Sequence, residues 1–293
     1  MSKNNPYEEV PEKNSEMFLN VKRVICYIIL IIAALIALFP FVLLLVNATR
    51  PHAAIQQGFS LIPGGSLLNN LKNTLATNDL PVMRGMFNSF LISALACGLS
   101  VYFSAFTAYG IHVYDFKIRK PVMSFIMLIM MVPTQVSALG FVQLMMNFKL
   151  TNSLIPLIIP TIAAPATYFF MKQYMESALP LDIVEAARID GSNELKTFNR
   201  IIMPIMKPAI AVQAIFTFVT NWNNYFLPAL LLTKKEMKTL PVLIAQLRSA
   251  DYLKFDMGKV YFLIAFSIIP VVVVYLLLSK FIIRGVALGS VKG

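Results

Sequence analysis

The chain has 293 residues, of which 58% are hydrophobic and only 13% charged, and its mean hydropathy is +0.71. That balance excludes a water-soluble domain. The net charge of +11 does not indicate nucleic acid, because the basic residues lie scattered between long apolar runs. A positive-inside bias and contact with anionic lipid headgroups account for them.

Residues 1–23 are polar, of mixed charge, and read as a cytoplasmic N-terminal tail. Six runs then reach the roughly 20 apolar residues that a bilayer crossing needs. They are Val24–Val46, Gly85–Tyr109, Pro121–Met146, Leu154–Phe170, Pro208–Leu232 and Val260–Ser279. The expected fold class is all-α: a polytopic membrane protein with six transmembrane helices and both termini cytoplasmic. In that orientation 15 of the 25 Lys and Arg fall inside. None of the six runs contains Asp, Glu, Lys or Arg. Ion-coupled carriers and pumps place such residues in the bilayer to carry the coupling. The chain also lacks a G-x-x-x-x-G-K-[ST] phosphate loop. Energy for uphill transport therefore has to come from another subunit. Cys26 and Cys97 lie inside spans without ligand-type spacing, so neither a metal site nor a cofactor is expected.

The second span carries small residues four apart, Ala96, Ser100, Ser104 and Ala108. Such a stripe lets helix backbones approach closely, either within the chain or against a second subunit. Pro133 should kink the third span, with Gln135 and Gln143 following on the same helix. In the fifth span Asn221, Trp222, Asn223, Asn224 and Tyr225 form a dense polar-aromatic cluster. Amides in hydrocarbon need partners, so the cluster faces either a cavity or neighbouring helices. Amides beside aromatic rings also suit sugar hydroxyls and ring faces. With Gln135, these five form the expected substrate pathway. A phosphate substrate would call for arginines facing the pore, and the spans supply none.

Between the fourth and fifth spans lies a polar island of about residues 180–204. Asp182 with Glu185 fits a capping box, and Ala186 and Ala187 leave a bare helix face. Gly191 supplies a left-handed stop, Ser192 or Asn193 starts the next helix, and Pro204 ends or kinks it. Glu185-Ala186-Ala187, three residues, Gly191, nine residues, then Ile201-x-Met203-Pro204 resembles the EAA loop of ABC-importer membrane subunits, with Met203 in place of Leu.

The chain further resembles the carbohydrate-importer branch of that family, and within it the smaller membrane subunit of the maltose transporter. The resemblance rests on Ile189-Asp190-Gly191-Ser192, Leu150-Thr151-Asn152-Ser153, Trp222-Asn223-x-x-Phe226, and the tail from Phe281 to Gly293. It implies a type I importer permease fold over residues 24–284, a cytoplasmic tail at 285–293, and no enzymatic activity of its own. It implies partners: a second, different permease, two cytosolic ATPase subunits and an extracellular sugar-binding protein in a bacterial cytoplasmic membrane. It implies that Glu185, Ala186, Ala187, Asp190, Gly191 and Pro204 dock the ATPase, and that Ser290, Val291, Lys292 and Gly293 reach between the ATPases. The competing expectation is a membrane enzyme acting on lipid or glycan, though no paired carboxylates or His cluster mark a catalytic centre.

Overall fold

A computed structural model of the chain describes residues 12–76, 80–249 and 255–289, with side chains from residue 20 to 282. The tail Ser290–Gly293 and residues 1–11 lie outside the described residues.

The described residues are helical throughout, apart from turns and loops. Helix α1 (Glu12–Ala48) begins well before its apolar run and presents Ile28, Leu35 and Ile36 outward on a stretch with no residue buried inside the chain. Only a hydrocarbon surround makes that economical. Short helices α2 (His52–Gln56) and α3 (Leu67–Leu75) follow, then the long α4 (Val82–Val113). Helices α5 (Arg119–Met130) and α6 (Thr134–Asn147) form a pair bent by 95°. Helix α7 (Ile155–Ile158), a 3₁₀ turn and α8 (Pro165–Ala178) make up the next span. After α9 (Leu181–Ile189) come α10 (Glu194–Thr197), a π-helical turn at Phe198–Ile202 and α11 (Met203–Ile205). The chain then turns by 81° into α12 (Lys207–Trp222) and α13 (Phe226–Leu231), and closes with α14 (Leu240–Arg248) and α15 (Met257–Gly289).

Four helices or continuous helical stretches are long and apolar enough to cross a membrane, and the two bent pairs raise the number to six. Contacts between distant segments sort the loops into two sides. On one side, Asn88 Nδ2 donates to the Glu236 and Lys238 carbonyls, Asn152 grips Thr233 and Lys234, and His52 Nδ1 accepts from the Met257 N–H. On the other, the Tyr109 hydroxyl donates to Glu194 and His112 Nε2 meets the Leu179 carbonyl. Residue 119 leaves the second side and residue 152 is held on the first. The α5–α6 pair is therefore one broken crossing.

Pro133 sits at the break as expected, as the residue preceding α6, but the result is a right-angle turn with Met131 82% exposed. Helix α4 is the central post, packed against both α8 and α12, while α12 packs on α15. The small-residue stripe explains the first of these contacts. Ala96, Ser100, Ser104 and Ala108 are all buried inside the chain. The Thr161 hydroxyl donates to the Ala96 carbonyl, Ser100 Oγ to Thr167 Oγ1, and Ser104 Oγ to the Ala164 carbonyl. Close approach serves the α4–α8 packing, so a second subunit cannot use this stripe.

Candidate functional site: a capped hairpin and a polar cavity

The hairpin of α9 and α10 lies on the same side as Tyr109 and His112. Its turn is made by local chemistry. Gly191 has φ +74° and its N–H reaches the Arg188 carbonyl, while the Ser192 N–H reaches the Ala187 carbonyl. This pairing satisfies the last carbonyls of α9 and is the Schellman arrangement. Asn193 caps α10, its Oδ1 accepting from the Lys196 N–H at 2.8 Å.

Two expectations are corrected here. Asp182 does not cap α9: Pro180 occupies the N-cap position with extended backbone, and Asp182 lies inside the first turn. Its carboxylate there still favours the positive helix end. Nor do the two alanines share one bare face. Ala187 is buried with Val184 against the chain itself, whereas Glu185 and Ala186 are exposed. The outward row is instead Leu181, Glu185 and Ile189, spaced four apart, with Ile189 86% exposed. Asp190 is exposed at the C-cap and Pro204 on α11. The bend falls at Met206, just before Pro208, rather than at Pro204.

What fixes the hairpin to the bundle was not foreseeable from spacing. Glu194 accepts from the Tyr109 hydroxyl at 2.6 Å and from Arg188 Nε at 2.8 Å, and the Arg188 guanidinium lies over the Tyr114 ring. One carboxylate thus ties α10 to both α9 and the end of α4. Phe198 adds an apolar rivet. It is fully buried, with its ring 5.5 Å from Tyr102, 5.0 Å from Phe106 and 5.6 Å from Tyr109. Tyr109 and Glu194 are 85 positions apart, so no local pattern signals this docking.

Partial burial pushes the Glu194 carboxyl up, but the bonds from Tyr109, Arg188 and Tyr114 outweigh it and hold the group below its ordinary value of 4.5. A depressed native value contributes stability above the unfolded value, lost as pH falls through the native one. The Glu194 contribution is therefore expected to be constant through neutral pH and to vanish only in acid. Thermal unfolding of wild type and Glu194→Gln between pH 7 and pH 3 checks this. The gap between them should begin to narrow as pH falls below about 4.5 and close further into acid; a constant gap would contradict it.

The polar-aromatic cluster divides in two. Asn221 and Asn224 line a cavity of about 330 Å³ with Thr134, Ser137 and Thr161, beside the break between α5 and α6. No charged side chain lines it. Trp222 points the other way and is buried, stacked on Phe218 with its Nε1–H donating to the Ser267 carbonyl at 3.1 Å. That bond ties α12 to α15, and the side chain also borders another cavity. Trp222, Asn223 and Tyr225 line this separate cavity of about 630 Å³ with Arg248. Gln135 is exposed beside Thr134 and lines neither.

Asn152 was singled out by sequence only as part of a turn. At φ 56° it occupies the left-handed region, and its Oδ1 accepts from both the Thr233 and Lys234 N–H groups at 2.7 Å. It locks the turn after α6 to the loop after α13.

Comparisons with known proteins agree with this architecture. Residues 100–287 match the binding-protein-dependent transport system inner membrane component. The chain is 33% identical over 279 residues to the arabinooligosaccharides transport system permease AraQ of Bacillus subtilis, covering 94% of this chain and 97% of the relative. It is 28% identical to the lactose permease LacG of Rhizobium radiobacter, over 92% and 96% of the two chains. It is also 28% identical to the sn-glycerol-3-phosphate permease UgpE of Yersinia enterocolitica, over 89% and 95%. Its fold superposes with TM-score 0.76 and 22% identity on a chain of a bacterial ABC transporter that imports the acidic polysaccharide alginate, covering 94% of this chain and 99% of that one. Six crossings around a central α4, with a glycine-stopped hairpin docked on one side, are thus accompanied by a family match over most of the chain. The protein belongs to the binding-protein-dependent ABC transporter permeases, non-catalytic multi-pass subunits of the bacterial inner membrane, and is not a membrane enzyme.

Proposed function

We propose that this chain is one permease of an ATP-driven importer for a neutral oligosaccharide. A second, different permease completes the pathway, two cytosolic ATPases drive it, and an external sugar-binding protein delivers the solute. The termini and the α9–α10 hairpin face the cytosol. The observation that carries this reading is the hairpin: it is stiffened at both ends and riveted to α4, and it displays Leu181, Glu185 and Ile189. A rigid body of that kind passes the closure of an ATPase pair into movement of the spans. Glu185, Ala186, Asp190, Gly191 and Pro204 belong to the docking surface, while Ala187 supports it from beneath. Ser290, Val291, Lys292 and Gly293, outside the described residues, are assigned to contact with the ATPases.

Solute class is supported by the cavity at Asn221 and Asn224, whose polar groups are all neutral. The arabinooligosaccharide and lactose permeases among the relatives accord with it. The sn-glycerol-3-phosphate relative makes the anion the natural control.

Reconstitution of the purified complex in proteoliposomes with its binding protein tests the reading. Arabino-oligosaccharides or lactose should stimulate ATP hydrolysis and be taken up, and sn-glycerol-3-phosphate should not. Asn221→Leu with Asn224→Leu is expected to cut uptake on the order of tenfold or more, since two amide hydrogen bonds to solute are lost. Stimulation by the phosphate alone would reverse the solute assignment.

A further inference from the structure

A second cavity of about 740 Å³ lies at the start of the broken crossing, lined by Asp115, Phe116, Lys117, Arg119, Lys120, Met123 and Glu176. Its volume falls within the roughly 300–1,000 Å³ of small-molecule sites. It is far from the solute cavity at Asn221 in chain topology, on the hairpin side of the bundle.

Its charges are not balanced. Among the described residues, the side chains of Lys117, Arg119 and Lys120 make neither a hydrogen bond nor an ion pair. Of the two carboxylates, Glu176 is already engaged by the buried Lys172 at 2.5 Å. Three cations and two carboxylates line the opening, and a fourth cation outside the lining, Lys172, takes up Glu176. Unpaired cations converging on a cavity call for an anion.

The neighbouring surface says which kind. Ile118 among the basic residues, and Phe125 and Leu128 beyond them on α5, face outward, each more than 60% exposed. The polar opening therefore sits where a charged turn gives way to an apolar, outward-facing helix of a membrane span. A headgroup phosphate in the cavity would lead its acyl chains onto Phe125 and Leu128, which a free anion cannot exploit.

We infer that Lys117, Arg119 and Lys120 form a binding site for the phosphate headgroup of an anionic phospholipid, whose chains lie along α5. The site is independent of solute identity and of ATPase coupling.

Native mass spectrometry of the intact transport complex, delipidated and titrated with phosphatidylglycerol, tests this. Phosphatidylcholine and inorganic phosphate are the comparison ligands. Phosphatidylglycerol should remain bound where phosphatidylcholine does not. The triple variant Lys117→Gln/Arg119→Gln/Lys120→Gln should weaken retention on the order of a hundredfold, about fivefold for each cation removed. If that variant fails to assemble, Lys120→Gln, an exposed position, should still give the fivefold loss. Lys234→Gln with Lys238→Gln, on the opposite side, should leave retention unchanged. Equal retention by wild type and the triple variant would overturn the site. Displacement of the lipid by millimolar inorganic phosphate would overturn the lipid and leave a free-anion site.

Discussion

Phe198→Ala is expected to cost about 3–5 kcal/mol, the range for removing a buried phenyl ring from a site that cannot collapse. The ring is fully buried against three aromatic neighbours on α4, all within 5.6 Å. Those neighbours sit on a long helix held by α8 and α12, so they cannot close the gap cheaply. The loss falls at the junction between hairpin and bundle. The expected phenotype is therefore uncoupling: ATP hydrolysis no longer answers to the binding protein, and detergent-solubilised complex inactivates at lower temperature. Phe198→Leu retains most of the volume and should recover the greater part of both. Paired measurements of stimulated hydrolysis and thermal inactivation check this. A stability change below 1 kcal/mol for the alanine variant would mean that the hairpin is not anchored there.

Gly191→Val has the second largest expected effect, and its cause is conformational. A Cβ at this position would meet no atom within 4 Å, so crowding is irrelevant. The φ of +74° is the obstacle. Left-handed backbone costs an ordinary L-residue about 1–2 kcal/mol, and a branched Cβ is the worst case. The turn escapes by surrendering the bonds from Gly191 and Ser192 to α9, and the two short helices then lose their fixed angle. Assembly should persist while transport falls steeply. Gly191→Asn, which tolerates this region, should lie much closer to wild type. The ordering Gly, Asn, Ala, Val in uptake rate is the result to look for. Equal rates for glycine and valine would show that the turn geometry is unimportant for coupling.

The hairpin also illustrates what sequence can carry. Gly191 was legible because a single residue's backbone freedom decides the turn, and Asn193 because capping is a contact three residues long. The six crossings were legible because hydrocarbon imposes length and composition on each run separately. Asp182 misled because the helix start depends on the register of its first turn, and extended Pro180 sets it two residues earlier. The alanine pair misled for the same reason. A helix pattern says which residues share a face, but not which face meets the rest of the chain. The partners of the stripe on α4, the inward turn of Trp222 and the Tyr109–Glu194 bond depend on contacts across 45 to 85 positions. No local rule specifies those.

The right-angle break at Met131–Pro133 bears on how the protein is made. Backbone interrupted within a crossing is not tolerated against lipid, because nothing there replaces the lost helix bonds. Yet residues 127–137 are exposed along their whole length. A copy inserted alone is therefore expected to leave this break uncovered until another surface arrives. The expected result is that the protein accumulates in the membrane only when co-expressed with subunits that cover the break.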